Sequence, residues 1–282
     1  MSNFVVLNGE VLPESEVLIS PINRGMMYGD GFFATFRSYK MKFLELDAHF
    51  NRLKEGANYL GIDVPFGFED FRLKLSELLK ANNETDIDSI IRVQCWREGE
   101  RGYSTDSKRG EWLSSSSALK ELKDSVSLST VSIKSISSEA LARHIKLSNG
   151  LNYILAAKEA KSRGADDALM TTSEGLISET TIANLFWVKG ETIYTPSIEA
   201  DLYPGITRRI IIELLEQSTE FEVVQGKFRW DALLDSDCVF VTNSIRELLP
   251  VSRIDSQEFL TTTPAFEAIK EIFSNYRDQN LG

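Results

Sequence analysis

The sequence predicts an α/β (α+β) fold arranged in two domains. The chain has 282 residues, which is more than one hydrophobic core usually holds and enough for two domains of ordinary size. Its apolar fraction of 42% and charged fraction of 26% are typical of globular proteins, and they exclude a disordered chain, a fibre and a membrane protein. Segments with the period of a strand alternate with segments with the period of a helix, which favours a mixed fold.

The first predicted domain is a small α/β domain over residues 1–105. Asn8 and Gly9 lie between two apolar runs and predict a hairpin turn. Asp47 suits the N-cap of a helix that Gly61 ends. In chain order, the predicted elements are a hairpin over residues 4–13, an extended run over 32–46, helices over 47–61 and 67–82, and a buried strand over 89–96.

A predicted interdomain linker or mobile loop, residues 106–125, separates this domain from a second one over 126–282. The linker prediction rests on a polar, serine-rich stretch without a clear period. Gly164 closes one of the predicted helices of the second domain. The predicted elements there are helices over 151–164, 205–218 and 264–277, and strands over 125–133, 166–172, 182–188, 191–196 and 238–243.

Charge and composition narrow the class of partner. The formal net charge is −11, whereas nucleic-acid binders carry an excess of Lys and Arg, so we expect no nucleic acid as a partner. Cys95 and Cys238 lie inside apolar runs and are predicted core thiols. His49 and His144 are too few for a histidine-rich metal site. No signal peptide or membrane span is recognisable, which predicts a cytoplasmic protein that does not bind a membrane.

Several residues are candidates for binding an anion. The Pro-Gly turn before the helix at 205–218 leaves the N–H groups of Ile206 and Thr207 free for a phosphate, although an ordinary capped helix is the alternative. Thr242 and Ser244 form a second hydroxyl-rich turn after a strand. Arg52 projects from the predicted helix 47–61 away from its apolar face, which also suits a solvated charge.

Two charged residues occupy unusual positions. Lys146 precedes a predicted helix, where a cation is electrostatically unfavourable. Glu179 lies between two strand-like runs, where a carboxylate needs a partner. No dinucleotide or P-loop glycine pattern accompanies them. A surface lysine and a structural carboxylate are the alternatives for these residues taken singly.

Six motifs in order resemble one family over nearly the whole chain. They are residues 28–33 (YGDGFF), 49–53 (HFNRL), 146–149 (KLSN), 177–186 (ISETTIANLF), 204–208 (PGITR) and 240–244 (FVTNS). In this order they resemble the class IV aminotransferase family, the fold-type IV pyridoxal-phosphate enzymes. That family includes branched-chain and D-amino acid aminotransferases and 4-amino-4-deoxychorismate lyases.

The resemblance implies pyridoxal 5'-phosphate as the cofactor. Lys146 would form the Schiff base with its aldehyde and, once released by the substrate, would move the α-proton. Glu179 would pair with the pyridine nitrogen and keep it protonated. The phosphate ligands that the resemblance implies are Arg52, the N–H groups of Ile206 and Thr207, Thr242 and Ser244.

The resemblance also implies an architecture and an assembly. It predicts a small N-terminal α/β domain and a larger C-terminal domain, residues 126–282, with a β-barrel-like core. The family forms homodimers, so residues near Arg24 and Tyr28 could serve the neighbouring subunit.

Departures from the family pattern bear on the substrate. Thr35 and its neighbours replace the Phe-Glu-Gly of branched-chain enzymes, and Leu151 lies where they carry a Tyr. Residues 99–104 (GERGYS) are similar to a lyase motif, and in a lyase the Thr35 hydroxyl would assist protonation. Arg101 matches the carboxylate-binding arginine of D-amino acid aminotransferases. The predicted substrate-binding residues are Arg101 first, then Arg24, Arg97 and Tyr28; an exposed loop arginine is the alternative for the three arginines.

The predicted function is a pyridoxal-phosphate-dependent aminotransferase. It would transfer an amino group between an amino acid (or amine) and a 2-oxo acid. The alternative is a 4-amino-4-deoxychorismate lyase, which would use the same Lys146 and Glu179 to eliminate pyruvate and give 4-aminobenzoate. An inactive binding module of the same fold is disfavoured, because Lys146, Glu179, Arg52 and Thr207 are all present.

Overall fold

A computed structural model describes residues 3–64 and 66–282, which form two compact units. The first unit comprises the chain up to Lys120 together with Ile145–Asn149 and Asn280–Gly282. The second unit comprises Glu121–His144 and Gly150–Gln279. The short segment Ile145–Asn149, which contains Lys146, therefore belongs to the first unit although its neighbours in sequence belong to the second.

The first unit is built on an antiparallel sheet. Its strands are β1 (Phe4–Leu7), β2 (Glu10–Pro13), β3 (Gly31–Tyr39), β4 (Lys42–Phe43), β5 (Asp88–Arg97) and β6 (Gly110–Ala118). Within the described residues they form a six-stranded sheet in the order β2-β1-β6-β5-β3-β4. The helices of this unit are α1 (Arg24–Tyr28), α2 (Leu46–Leu60) and α3 (Phe68–Ala81).

Two tight turns fix the strand register. Asn8 and Gly9 have φ values of 50° and 91°, as a two-residue hairpin requires, so the predicted hairpin is confirmed. Lys40 and Met41 have φ values of 49° and 73° and form a second tight turn. The single extended run predicted over 32–46 is therefore wrong in its middle, because the chain reverses there between β3 and β4.

Helices α2 and α3 confirm the predictions over 47–61 and 67–82. The C-cap of α2 is Gly61, with a φ of 64°. Its N-cap, however, is Glu45 in the left-handed conformation with a φ of 55°, and Asp47 lies in the first turn instead. The Asp47 carboxylate still stabilises the helix start there, because it faces the positive end of the helix dipole.

Strand β6 corrects the predicted linker over 106–125. The strand pairs with β1 on one side and β5 on the other, in the middle of the sheet. Trp112 and Ser114 on it are 1% and 0% exposed. The Trp112 ring packs against the rings of Phe66 and Phe71, so this stretch contributes to the core of the first unit.

The second unit contains a mixed sheet. Its strands are β7 (Val126–Thr130), β8 (Asp167–Thr171), β9 (Ile177–Thr180), β10 (Asn184–Lys189), β11 (Thr192–Pro196), β12 (Glu222–Gly226), β13 (Cys238–Asn243), β14 (Glu247–Ile254) and β15 (Gln257–Glu258). The main path is β12-β11-β10-β13-β14-β7-β8-β9, and β15 pairs with β14. The remaining helices are α4 (Leu151–Ser162), α5 (Ile206–Gln217) and α6 (Pro264–Asn280).

The second sheet curls, and the predicted fold class is confirmed. Its end strand β9 contacts β11 as well as its neighbour β8, so the sheet bends toward closure as a half-barrel. Leu185 and Phe186 on β10 and Val239 and Phe240 on β13 are all buried, so both faces of these strands are covered, which explains their almost unbroken apolar runs. None of the helices that the structure describes is both long and apolar enough to cross a bilayer.

Candidate active site

Lys146 is held at the beginning of β3. The N–H of Phe33 donates to the Lys146 carbonyl at 2.9 Å, and the N–H of Ser148 donates to the carbonyl of Gly31 at 2.9 Å. The Lys146 Nζ lies 5.2 Å from the centre of the Phe33 ring. The lysine therefore projects from backbone that is hydrogen-bonded to a sheet, which limits the positions its amine can take.

Two cations lie close to His49 in the first unit. The ring of His49 is 6% exposed and packs against Phe36, with ring centres 4.6 Å apart. Burial, together with the positive charges of Arg52 and Lys146, lowers the pKa of His49 to about 3. The imidazole is therefore neutral at pH 7. The two predicted cofactor ligands of the first unit, Arg52 and Lys146, are brought to the same neighbourhood.

Arg92 extends this group toward Thr35. Its guanidinium lies 4.0 Å from the centre of the same Phe33 ring that Lys146 approaches, and it donates to Gln94 at 2.9 Å and to the Thr35 hydroxyl at 3.5 Å. Burial lowers the pKa of Arg92. Phe33 and Thr35 share one face of β3, since alternate residues of a strand point the same way. Arg92 and Lys146 thus approach the same aromatic ring, and Arg92 also contacts the Thr35 hydroxyl.

Glu179 lies on β9 in a buried network of hydrogen-bond donors. Its Oε1 accepts from the Tyr153 hydroxyl at 2.9 Å and from the Arg143 guanidinium at 2.8 Å, and its Oε2 accepts from Asn184 Nδ2 at 3.3 Å and the Tyr203 N–H at 3.0 Å. The side chains of Arg143 and Glu179 are 11% and 6% exposed. Such an arrangement stabilises the ionised form of the carboxylate.

The neighbours of Glu179 respond to its charge. Burial, and then the charge of Glu179, raises the pKa of Tyr153, so this phenol stays protonated and donates its hydrogen. Burial acts to lower the pKa of Arg143, but Tyr153 and Glu179 beside it raise that pKa overall. The Arg143 Nε also donates to the carbonyl of Asp201 at 3.0 Å. The carboxylate is therefore fixed in position, and both of these neighbours remain hydrogen-bond donors to it.

The start of α5 has the properties of a phosphate site. Its N-cap is Gly205, and within the described residues no side chain caps it, so the N–H groups of Ile206 and Thr207 point out of the first turn. A Cβ at Gly205 would lie 2.4 Å from Asn184 Oδ1, which accepts from the Gly205 N–H. Thr242 is the register partner of Asn184 across β10 and β13.

Thr242 adds a buried hydroxyl next to the first turn of α5, since it pairs with Asn184 across β10 and β13. The residue is 1% exposed, and among the described residues its Oγ1 has no hydrogen-bond partner. A buried hydroxyl without a partner is unfavourable, so this one is available to a ligand bound at the start of α5. Ser244 follows in the turn after β13, and Asn243 fixes that turn by accepting from the N–H groups of Ile245 and Arg246. These groups fit a phosphorylated cofactor, and the ionised Glu179 fits its pyridine nitrogen.

The predicted substrate-binding residues fall into two groups. Arg101 is exposed. Arg24 and Arg97 instead share Asp30 Oδ2, at 2.8 Å and 3.0 Å, and their remaining N–H groups donate to backbone carbonyls. Tyr28 accepts from the N–H of Gly102 at 2.9 Å. These contacts favour a structural role for Arg24, Arg97 and Tyr28, whereas Arg101 stays the candidate for substrate binding.

Three residues of these clusters were not found by sequence reasoning. Arg92 stands in a buried-strand pattern, and Arg143 and Tyr153 lie in a loop and on a helix without any motif around them. Only the tertiary structure brings Arg143 and Tyr153 to Glu179.

Comparisons with known proteins identify the family. The chain matches the family Amino-transferase class IV over residues 31–254, and it belongs to that family. Aminodeoxychorismate lyase of Bacillus subtilis (strain 168) is 29% identical over 263 residues, with 90% of this chain and 88% of the relative covered. A putative branched-chain-amino-acid aminotransferase of Methanocaldococcus jannaschii is 29% identical over 279 residues, with 97% and 95% covered.

A solved structure agrees with this assignment. The crystal structure of the branched-chain aminotransferase from Thermoproteus uzoniensis with norvaline superposes with a TM-score of 0.88 at 25% identity, covering 98% of this chain and 94% of that chain. The family resemblance carried by the six motifs is thereby confirmed. The relatives of this chain include both aminotransferases and aminodeoxychorismate lyases.

Proposed function

We propose that the protein is a pyridoxal-phosphate-dependent aminotransferase that transfers an amino group between an amino acid (or amine) and a 2-oxo acid. The observation that carries the cofactor assignment is the buried Glu179 carboxylate, which accepts hydrogen bonds from Arg143, Tyr153 and its other donors. The similarity to branched-chain aminotransferases favours amino transfer as the reaction. An ionised carboxylate in this setting suits a protonated pyridine nitrogen. When bound, the cofactor supplies an electron sink for the electrons released at the substrate's α-carbon.

Lys146 is the proposed catalytic residue. Its Nζ would bind the cofactor aldehyde. After release by the incoming amino group, the same amine would take the proton from the α-carbon and donate it to the cofactor side of the transferred nitrogen. The hydrogen bond between the Phe33 N–H and the Lys146 carbonyl fixes the lysine backbone. Neutral His49 beside it adds no further positive charge, which helps the amine to lose its proton.

The proposed phosphate ligands come from three elements. Arg52 on α2 would supply a full positive charge, and the first turn of α5 would supply the N–H groups of Ile206 and Thr207. The hydroxyl of Thr242, with Ser244 after it, would complete the set. The hydroxyl of Thr242 would gain the partner that it otherwise lacks among the described residues.

For the substrate carboxylate we propose Arg101, with Arg92 as a second cation. Arg92 approaches the same Phe33 ring as Lys146, which supports a position near the reacting amine. A guanidinium binds a carboxylate through two parallel hydrogen bonds and so orients it. The homodimer and the cytoplasmic location remain predictions from the sequence.

A lyase acting on 4-amino-4-deoxychorismate is the second candidate. The Thr35 hydroxyl, on the face of β3 that carries Phe33, supports it, because a lyase needs a proton donor near the departing pyruvate. The similarity to aminodeoxychorismate lyase of Bacillus subtilis favours the same alternative.

Absorption spectra and turnover distinguish the candidates. Purified protein with added pyridoxal 5'-phosphate should show a yellow visible band, and an amino donor should bleach it and transfer its amino group to a 2-oxo acid. Lys146→Ala should lack the visible band of the wild type and should not transfer amino groups. Formation of 4-aminobenzoate from aminodeoxychorismate with negligible amino transfer would select the lyase. A protein that stays colourless would contradict both candidates.

A further inference from the structure

The side chain of Arg24 holds the loop of residues 99–104. Its Nη1 donates to the carbonyls of Glu100 at 2.8 Å and Gly102 at 2.7 Å, and its Nη2 donates to the carbonyl of Tyr103 at 3.4 Å. These carbonyls lie on both sides of Arg101. One guanidinium therefore fixes the backbone that carries the proposed carboxylate ligand.

Arg24 is itself firmly anchored. The residue is 3% exposed, and its Nε donates to Asp30 Oδ2 at 2.8 Å. Arg97 donates to the same oxygen at 3.0 Å. Arg24 opens the short helix α1, whose N-cap Asn23 accepts from the Met26 N–H at 2.9 Å. The guanidinium thus connects an anchored helix to the loop.

Tyr28, at the end of α1, supports the same loop. Its hydroxyl accepts from the Gly102 N–H at 2.9 Å, and its ring lies 5.4 Å from the ring of Tyr103. Gly102 has a φ of 109°, a conformation that favours glycine. Gly99 is equally constrained, because a Cβ there would lie 3.1 Å from Cδ of Arg24. The conformation of the loop is therefore specified by its glycines and by α1.

We propose that Arg24 is a positioning residue that sets the affinity of the enzyme for carboxylate-bearing substrates through Arg101. This inference rests on the proposed function, in which Arg101 binds the substrate carboxylate. The Arg101 side chain is exposed, so ordering it on binding has an entropic cost. A backbone that is already fixed reduces that cost and improves affinity.

The substitution Arg24→Lys would retain the positive charge opposite Asp30 but remove the hydrogen bonds to the carbonyls of the loop. The guanidinium offers five N–H groups in a planar fork, whereas an ammonium is a single centre with three. Arg24→Lys can therefore keep the ion pair without reaching the three carbonyls. Tyr28→Phe removes only the hydroxyl that accepts from Gly102 and gives a milder release of the same loop.

Limited trypsin digestion tests the positioning directly. The bond after Arg101 is a trypsin site inside the held loop, and we expect Arg24→Lys to raise its cleavage rate at least about tenfold and Tyr28→Phe about threefold, since each removes loop contacts that oppose local opening. The control is Arg109→Lys, because Arg109 is 77% exposed and pairs with Glu98 at 2.7 Å. An unchanged cleavage rate at Arg101 in folded Arg24→Lys would overturn the proposal.

A double-mutant cycle on KM tests the connection to Arg101. For a carboxylate-bearing donor we expect Arg101→Gln to raise KM about 30-fold, Arg24→Lys to raise it about tenfold, and kcat to change little. The double variant should resemble Arg101→Gln alone, since both changes remove one contact. The proposal would be overturned if the increase in KM of the double variant equalled the product of the two single increases, or if Arg101→Gln kept the wild-type KM. A wild-type protein without turnover would instead contradict the proposed function, while the digestion still decides whether Arg24 holds the loop.

Discussion

At the scale of single residues, Glu179 is a carboxylate that accepts hydrogen bonds from four donors. Replacing it by glutamine keeps its shape but removes the carboxylate that pairs with the half-buried Arg143. We expect Glu179→Gln to lower turnover by about 100-fold, because a preorganised charge is lost, and to lower the free energy of unfolding by about 3 kcal/mol. Steady-state kinetics and denaturant titration measure the two effects.

The control for that variant is Glu213→Gln. Glu213 pairs with Arg209 on α5 at 2.9 Å, but both side chains are well exposed. A surface pair of this kind contributes about 1 kcal/mol or less, and it lies outside the Glu179 network. If Glu179→Gln behaved like Glu213→Gln in both measurements, the functional assignment of Glu179 would be wrong.

His49 predicts a pH dependence of stability. Burial and the charges of Arg52 and Lys146 lower its pKa to about 3 in the folded protein, while the unfolded chain retains the ordinary value near 6.5. The unfolded state therefore binds more protons between these values, and His49 makes the protein less stable as the pH falls through that range. The slope is up to about 1.4 kcal/mol per pH unit.

His49→Phe tests this contribution, because phenylalanine keeps a ring against Phe36 and does not titrate. The free energy of unfolding of the variant should depend less on pH than that of the wild type between pH 6.5 and pH 4, and the two curves should run parallel above pH 7.5. Parallel curves over the whole range would show that His49 is not the titrating group.

At the scale of elements, the first turn of α5 connects the fold to the proposed phosphate site. Gly205→Ala would bring a Cβ to 2.4 Å from Asn184 Oδ1, although its φ of −61° suits alanine. Asn184 must then move away from Glu179 and Tyr203. We expect a loss of about 1–3 kcal/mol in stability and at least tenfold weaker cofactor binding, measured by thermal unfolding and by titration of the visible band.

Gly67→Ala is the matched control. Gly67 is also the N-cap of a helix, α3, with a φ of −87°, and a Cβ there meets nothing within 4 Å. Only the loss of a good N-cap residue is expected, about 1 kcal/mol or less. Equal effects of the two substitutions on cofactor binding would remove the argument for close contact at Gly205.

The elements also explain what the sequence could predict. Helices α2, α3, α4 and α5 were predicted within two residues at each end, because apolar spacing and terminal glycines are local signals. Strand β6 was missed because its serines carry no apolar alternation, and its burial comes from β1 and β5 on either side. Lys146 and Glu179 stand in motifs, whereas Arg143 and Tyr153 reach Glu179 only through the fold, so no sequence pattern marks them.

At the scale of the whole molecule, ligand binding and folding are linked through Thr242. Its buried Oγ1 lacks a hydrogen-bond partner among the described residues, so it destabilises the protein unless a ligand supplies one. We expect Thr242→Val to raise the free energy of unfolding by about 1 kcal/mol without cofactor. With saturating pyridoxal 5'-phosphate, the same substitution should reduce the stabilisation that the cofactor brings.

The combination of higher stability without cofactor and a smaller gain from cofactor makes this prediction specific to a ligand of the Thr242 hydroxyl. The control is Thr195→Val, because the equally buried Thr195 hydroxyl donates to the Leu185 carbonyl at 2.8 Å and its loss should destabilise the protein in both conditions. Thermal unfolding of the wild type and both variants, each with and without cofactor, measures the six values. For the wild type, cofactor at 100 times its Kd adds about 2.7 kcal/mol. A Thr242→Val protein that gained the full amount would show that this hydroxyl does not bind the phosphate, and the unpartnered oxygen would then be only a defect of packing.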